Sequence, residues 1–407
     1  MEYLRTKILA LTSLAHYIND GCGIAYATTY PIFINKGYSY LDVSFVSASY
    51  LVTSAVSSIF MGRLGDIVKR PAMLLGTGIA LWSLAILMLG LSIYSIGEWI
   101  STPLLYISAL IGGVASSIYH PVGASILSSY FISDRGLALG INGAMGALGR
   151  TSYPLIITLL LSITTAGLIP LALASLASAM AIFIAIGGIV QNGERDPGEA
   201  SIAIPREVIP SIAILTSIAI AKGILSQGVV TYLSTFINQR LGISYGVEVG
   251  ALTSLALAGS IVSQPILGML SDRLGRDRTM IFTTLMGSLS IYGFLELYRF
   301  SIASYILLFL FGVFAFEAFT LLLSYVSDIV PQRYVSTANS IVWGLGLTAG
   351  GSIGPIIVGL TASSTSLEAG YALVASINML AIPLIYIASK RYSSTRIRSS
   401  PSYPIDR

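Results

Sequence analysis

Charge is what this chain lacks most. Of its 407 residues only 10% are Asp, Glu, Lys or Arg, where a soluble domain carries about 25%. With 55% hydrophobic residues there is too little polar surface to keep a monomer dissolved. Cysteine is almost absent, and a lone Cys22 excludes both a disulfide framework and a cysteine metal site. There are only two histidines, His16 and His120. No glycine-rich phosphate-cradling loop occurs, which removes ATP as an energy source. The short alternating segments of a membrane barrel are missing as well. Neither a cofactor nor a metal is expected.

What is present is a series of apolar runs, each long enough to cross about 30 Å of hydrocarbon. They fall near 8–34, 43–63, 73–96, 103–131, 138–163, 167–190, 210–237, 246–270, 279–299, 302–327, 336–362 and 368–390. The fold class is therefore an all-α polytopic membrane protein with twelve transmembrane helices. The first run exceeds a signal-peptide core and no small-residue cleavage site follows it, so it is expected to stay in the mature protein.

The basic residues are distributed unevenly. Seventeen of the 22 Lys and Arg fall in the terminal segments and the loops on one side, from Arg5 and Lys7 through Arg70, Arg135 and Arg273 to Arg407. Lys36, Arg240 and Arg299 are the three on the other side. The positive-inside rule then places both termini in the cytoplasm of a cell membrane, which an even number of spans requires. This distribution also explains the net charge of +4 without any nucleic-acid partner.

One long polar interruption, 191–209, separates six spans from six. It divides the chain into an N-terminal half (1–190), a cytoplasmic linker (191–209), a C-terminal half (210–390) and a cytoplasmic tail (391–407). The halves echo one another. The loop after the second span reads Gly62-Arg-Leu-Gly-Asp66-Ile-Val-Lys69-Arg70, and the loop after the eighth reads Gly268-Met-Leu-Ser-Asp272-Arg273-Leu-Gly275-Arg276. Gly149 and Pro154 of span five have counterparts in Gly350 and Pro355 of span eleven. Two six-helix halves in parallel repeat are a recognised transporter architecture.

At these loops the chain resembles the major facilitator superfamily, whose signature is Gly-x-Leu-Ala/Ser-Asp-Arg-x-Gly-Arg-Arg/Lys. The second copy departs from it only at Asp277. The first keeps Gly62, Leu64, Asp66 and Arg70 but has Ile67 and Lys69 where the family has Arg and Gly. The resemblance implies that each aspartate, just past a helix end, pairs with a helix terminus and nearby arginines to latch the halves in the outward-open state. Helix-end charge contacts of about 0.3–1 kcal/mol are weak enough to break in every cycle. His16-Tyr-Ile-Asn19-Asp20 and Ser117-Ile-Tyr119-His120-Pro121 further resemble stretches of the fosmidomycin-resistance branch of drug exporters.

Four ionisable groups lie within apolar runs: Asp20, Arg150, Lys222 and Glu317. Such groups are costly in hydrocarbon and are functional candidates by default. An unpaired ion at that depth would neutralise, so one acid and one base per half suggest two pairs, Asp20 with Arg150 and Lys222 with Glu317. The resemblance places spans 1, 4, 7 and 10 around the central cavity. His16, Asn19, Asp20 and Gly23 share one helix face, and His16 and His120 fall at comparable depth, where a histidine can relay protons. Gln227, Thr231, Ser234 and Asn238 form a polar row on span 7, suited to substrate hydroxyls or amides. Gly140, Gly143, Gly146 and Gly149 step along span 5 and permit close helix contact.

The expectation is a monomeric secondary transporter of a small organic solute, working by alternating access in the lipid bilayer and coupled to protons. Export of a drug-like or metabolite compound stands first, on the branch resemblance. Uptake of a sugar or organic acid by symport stands second. From another class, the chain would be a membrane-embedded enzyme using His16, Asp20 and His120, or a non-transporting sensor on a carrier fold.

Overall fold

The computed structural model describes residues 2–132, 134–191, 206–299, 301–316, 318–331 and 334–399. Among them there is no strand, and the apolar runs emerge as helices. The first half holds α1 (Glu2–Ile34), α2 (Tyr40–Ile67), α3 (Pro71–Tyr94), α4 (Ser101–Tyr130), α5 (Arg135–Ile163) and α6 (Ile169–Ala185). The second opens with α7 (Ile209–Arg240), α8 (Val247–Leu274) and α9 (Arg276–Leu297). Its tenth span is built from α10 (Ser301–Ala315) and α11 (Ala318–Ile329). The eleventh runs through α12 (Val335–Ile341), a π-helical stretch Val342–Ala349, a 3₁₀ turn Gly350–Ser352 and α13 (Ile353–Ser364). The twelfth is α14 (Leu367–Met379) with α15 (Ala381–Ser399).

Nine helices among the described residues are long and apolar enough to cross a membrane, and Ile169–Ala185 and Ile302–Ala315 are shorter apolar helices. α1 completes the twelve. At 33 residues it has the length, but His16, Asn19, Asp20 and its threonines dilute its apolar character. Most of the linker 191–209 and the end of the tail lie outside the described residues, while α15 carries helix on through Ser399.

Local chemistry sets the helix ends. Ser39 and Asp42 form a reciprocal capping box that starts α2, and Pro71 fills the first turn of α3, where its missing N–H costs nothing. Between α8 and α9 the chain reverses at Gly275 with φ +96°, a left-handed conformation that glycine adopts without strain. Both helices that carry the signature loops run further than their apolar runs. Asp66 and Asp272 therefore stand in the last turns of α2 and α8 rather than past them, because backbone hydrogen bonding continues to Val68 and Gly275.

The halves meet along α1 and α7, α2 and the eleventh span, and α5 and α8. Hydrogen bonds joining them gather at the face holding the α1–α2 and α7–α8 turns, called here the far face. Asn35 Nδ2 donates to Asn238 Oδ1 at 2.9 Å, and these two residues end the first helix of each half. Tyr40 donates to Gln239, Ser44 donates to the Pro355 carbonyl at 2.7 Å and also meets Tyr232, and Ser47 pairs with Thr231 at 3.1 Å. In hydrocarbon, small residues and interhelical hydrogen bonds drive helix association, since lipid is as apolar as leucine. The seal has that composition. Gly359 lies directly against Ser44 and the Tyr232 hydroxyl, where a Cβ has no room.

A Gly359→Ala substitution is therefore expected to force α13 from α2 and unseat the Ser44 contacts. At about 1 kcal/mol per hydrogen bond, losing two shifts the closed-to-open balance of the far face roughly tenfold or more. The maleimide labelling rate of a cysteine placed at Ser47, in a Cys22→Ser background, reads that change. An unchanged rate would mean that the seal does not rest on this contact.

Candidate functional site

Midway along α1, one turn of helix carries His16, Asn19 and Asp20, and the structure gathers the other predicted charges of the first half around them. Arg150 of α5 places its guanidinium 2.6 Å from Asp20 Oδ2. His16 Nε2 stands 3.6 Å from the same oxygen, and His120 Nε2 of α4 stands 3.9 Å from Oδ1. Asn19 donates its amide to Asp20 Oδ1 at 3.0 Å and accepts from the Trp82 indole at 2.9 Å. Thus the carboxylate is the hub of a network linking α1, α3, α4 and α5.

Glycine makes this approach possible. Gly146 lies under the His16 ring and Gly149 against the Tyr17 carbonyl, both closer than any Cβ allows. The glycine ladder does not serve one contact throughout. Gly143 turns towards Gln264 of α8 at 3.9 Å, and Gly140 faces open space, because three-residue steps drift around a helix of 3.6 residues per turn.

The cluster lies at the boundary between the halves. Arg150 sits 5.3 Å over the ring of Phe316 in the tenth span, and His120 meets Trp343, in the π-helical stretch, edge to face at 6.4 Å. The Asp20 side chain is 7% exposed and that of His120 41%. His120, beside Trp343 of the second half, is the most accessible group of the cluster. π-Helical turns inside α-helices occur often at functional sites, and this one adjoins the cluster.

Two participants carry no role that the sequence assigns. Asn142 of α5 offers its backbone carbonyl to His16 Nδ1 at 2.8 Å and its side-chain oxygen at 3.0 Å. Tyr119 donates to that same side-chain oxygen at 2.7 Å and stacks on the His16 ring at 4.4 Å. A lone amide amid apolar and small residues at mid-membrane was the available signal for Asn142. His16, Asp20 and His120 together have the chemistry of a metal-ligand set, with ligand atoms within 4.8 Å of one another. The guanidinium already bound to Asp20 supplies the cation there.

The second half gives a different picture. Lys222 is buried in α7, where neighbouring Gly223 crosses the eleventh span at Gly351. Its expected partner Glu317 lies outside the described residues. The polar row on α7 is not a single cavity wall. Thr231 bonds Ser47, Ser234 bonds Thr253 at 3.0 Å, and Asn238 bonds Asn35 and the Ile243 carbonyl. Small hydroxyls and amides suit interhelical contacts as well as substrates, and here they hold helices. Gln227 packs its stem against Gly351.

At the signature loops, Gly62 lies near Pro121 of α4, Asp66 has its side chain outside the described residues, and Arg70 is exposed at the start of α3. In the second copy Asp272 meets Arg276 at 3.3 Å, and Arg276 binds Asp328 of α11 at 2.5 Å and Ser271 at 3.2 Å. Gly268 accepts the Ser271 hydroxyl, and Arg273 is exposed beside Gly275. These ion pairs stay within the second half instead of crossing to the first, because Asp328 of α11 lies within reach of Arg276.

Removing one partner of a buried pair strands the other charge, whereas removing both is far milder. Asp20→Asn or Arg150→Gln alone is expected to cost about 3 kcal/mol, the lower end of the usual range because Arg150 is partly exposed. The double change should recover at least half of that. Thermal unfolding of the purified protein in detergent measures it, and a double mutant as unstable as the worse single would show that the two residues do not act as a pair.

A family model of the Major Facilitator Superfamily matches residues 9–342 and again 217–404. The fosmidomycin resistance protein of Escherichia coli (strain K12) is 21% identical over 399 residues, covering 95% of this chain and 93% of that protein. Among solved structures, an inward-facing, unoccupied bacterial homolog of the human lysosomal transporter Spinster superposes with a TM-score of 0.74 at 14% identity, over 99% of this chain and 100% of the other. The nucleoside transporter NupG gives 0.71 at 12% identity, over 96% and 99%. At such identities the structural likenesses speak for the fold, and the family match spans nearly every residue. With its twelve spans in two six-helix halves, the chain belongs to the Major Facilitator Superfamily.

Proposed function

We propose that this transporter exports a small organic compound across the cell membrane by alternating access, driven by protons, with both termini in the cytoplasm. The observation that carries the reading is the Asp20 carboxylate held by Arg150, with two histidines within 4 Å, where the halves meet. A carboxylate in that setting exchanges partners when a proton arrives, and a change of partner at the boundary between halves biases their packing. Export as the direction rests on the curated relative, whose name is that of a resistance protein. The uneven distribution of Lys and Arg supports the sidedness, so the far-face seal is the external gate and the open cleft looks inward.

In the same reading the signature loops serve the opposite state. Asp272 and Asp66 latch the cytoplasmic ends when those ends close, and the second copy is held inside its own half until then. That arrangement suits a carrier with its external gate shut.

Purified protein in liposomes tests the proposal, with fosmidomycin as the first compound because of the relative's name. An imposed pH gradient should drive accumulation without nucleotide, and a protonophore should abolish it. Movement that survives the protonophore but needs sodium or ATP would refute proton coupling. Failure of every candidate compound in counterflow would refute transport itself.

A further inference from the structure

We propose that His16 Nε2 is the proton-loading atom of the cluster, and that a proton bound there loosens the grip of Arg150 on Asp20. This deepens the proton-coupled reading and rests on it.

The geometry fixes the tautomer. His16 Nδ1 lies 2.8 Å from the Asn142 backbone carbonyl and 3.0 Å from its side-chain oxygen. A carbonyl oxygen only accepts, so Nδ1 carries the hydrogen. With Tyr119 stacked on one side and Gly146 beneath, the ring has no room to turn over. In neutral imidazole the other nitrogen is then bare. Nε2 presents its lone pair to Asp20 Oδ2 across 3.6 Å, and two electron-rich atoms face each other. A proton on Nε2 converts that repulsion into a charge-assisted attraction.

Loading has a consequence because Oδ2 already holds Arg150 at 2.6 Å. Oδ1 is taken by the Asn19 amide, with His120 beyond it. Imidazolium and guanidinium would then converge on one oxygen as like charges. Arg150, at 25% exposure the freer of the two, is the one that yields, and it leans on Phe316 of the other half.

The remaining groups facing the site are Tyr119 and His120 from α4, Asn142 from α5, Tyr50 from α2, near enough to feel the Asp20 and Arg150 charges, and Trp343, whose ring lies against His120. His120 is the most exposed of the ionisable groups and meets the His16 ring edge to face at 5.5 Å. It is placed to pass a proton inward. The two rings meet edge to face with no hydrogen bond between them, so the relay runs through water: His120 releases its proton to a water between the rings, that water gives one of its own to His16 Nε2, and bulk solvent reloads His120.

With only two histidines in the chain, nitrogen-15 NMR of histidine- and arginine-labelled protein in lipid nanodiscs reads the site directly. A His120→Gln variant assigns the signals. Before acidification His16 should be the Nδ1–H tautomer; on acidification Nε2 should gain a proton as well, and the Arg150 guanidinium signal should shift with it. In His16→Gln the pH response of Arg150 should be lost. A neutral His16 protonated on Nε2, protonation of His120 alone, or an Arg150 signal that shifts without His16 would overturn the proposal, and the first two need no change at His16 itself. Loading at His16 together with proton-insensitive transport would uphold this inference and refute the coupled reading. Proton-driven transport with a silent His16 would do the reverse.

Discussion

Everything in the first half is arranged around one ion pair, Asp20 with Arg150, in a medium where neither charge survives alone. Isolated, either group would be expelled or neutralised. Together, with Asn19, His16 and His120 around the carboxylate, they become a charge network that hydrocarbon tolerates. The need to bring α5 against α1 for this pair explains Gly146 and Gly149, which remove the side chains that would hold the helices apart. It also explains why polar residues on α1, α3, α4 and α5 share one depth.

The boundary between halves follows a different principle. Its far-face seal is made of hydroxyls, amides and one tight glycine contact, each worth about 1 kcal/mol. The hydrogen bonds of such a seal are ones that water can replace when it opens. Phe316 on Arg150 and Trp343 on His120 bring the second half within reach of the charge network.

Much of this was legible in the sequence. Apolar runs marked the spans because membrane helices must be continuous and apolar, and Asp20 and Arg150 stood out because charge is so scarce. His16 and His120 were placed at equal depth by counting residues, and their rings do meet. Less legible were features that depend on which way a helix face points. Thr231, Ser234 and Asn238 read as a polar row suited to substrate, but α7 is buried on nearly all sides and their hydroxyl and amide groups bond to Ser47, Thr253, Asn35 and the Ile243 carbonyl. Asn142 escaped notice since a single amide among glycines carries no periodicity. The π-helical stretch at Val342–Ala349 reads as ordinary helix in composition, because widening a turn is a packing outcome and leaves no local residue pattern. Asp272 matched its family motif, yet in this state its partner Arg276 is shared with Asp328, a contact set by the tertiary position of α11.

In the proposed mechanism the charge state of the Asp20 network governs whether the far face is sealed. Electron–electron resonance between spin labels at Lys36→Cys and Ser244→Cys, both exposed in far-face turns and in a Cys22→Ser background, measures that seal across pH. The account predicts one short distance at alkaline pH and a second, longer population on acidification, with the pH dependence lost when Asp20→Asn and Arg150→Gln are combined. A distance distribution that ignores pH in the native protein, or that responds equally in the double mutant, would contradict it.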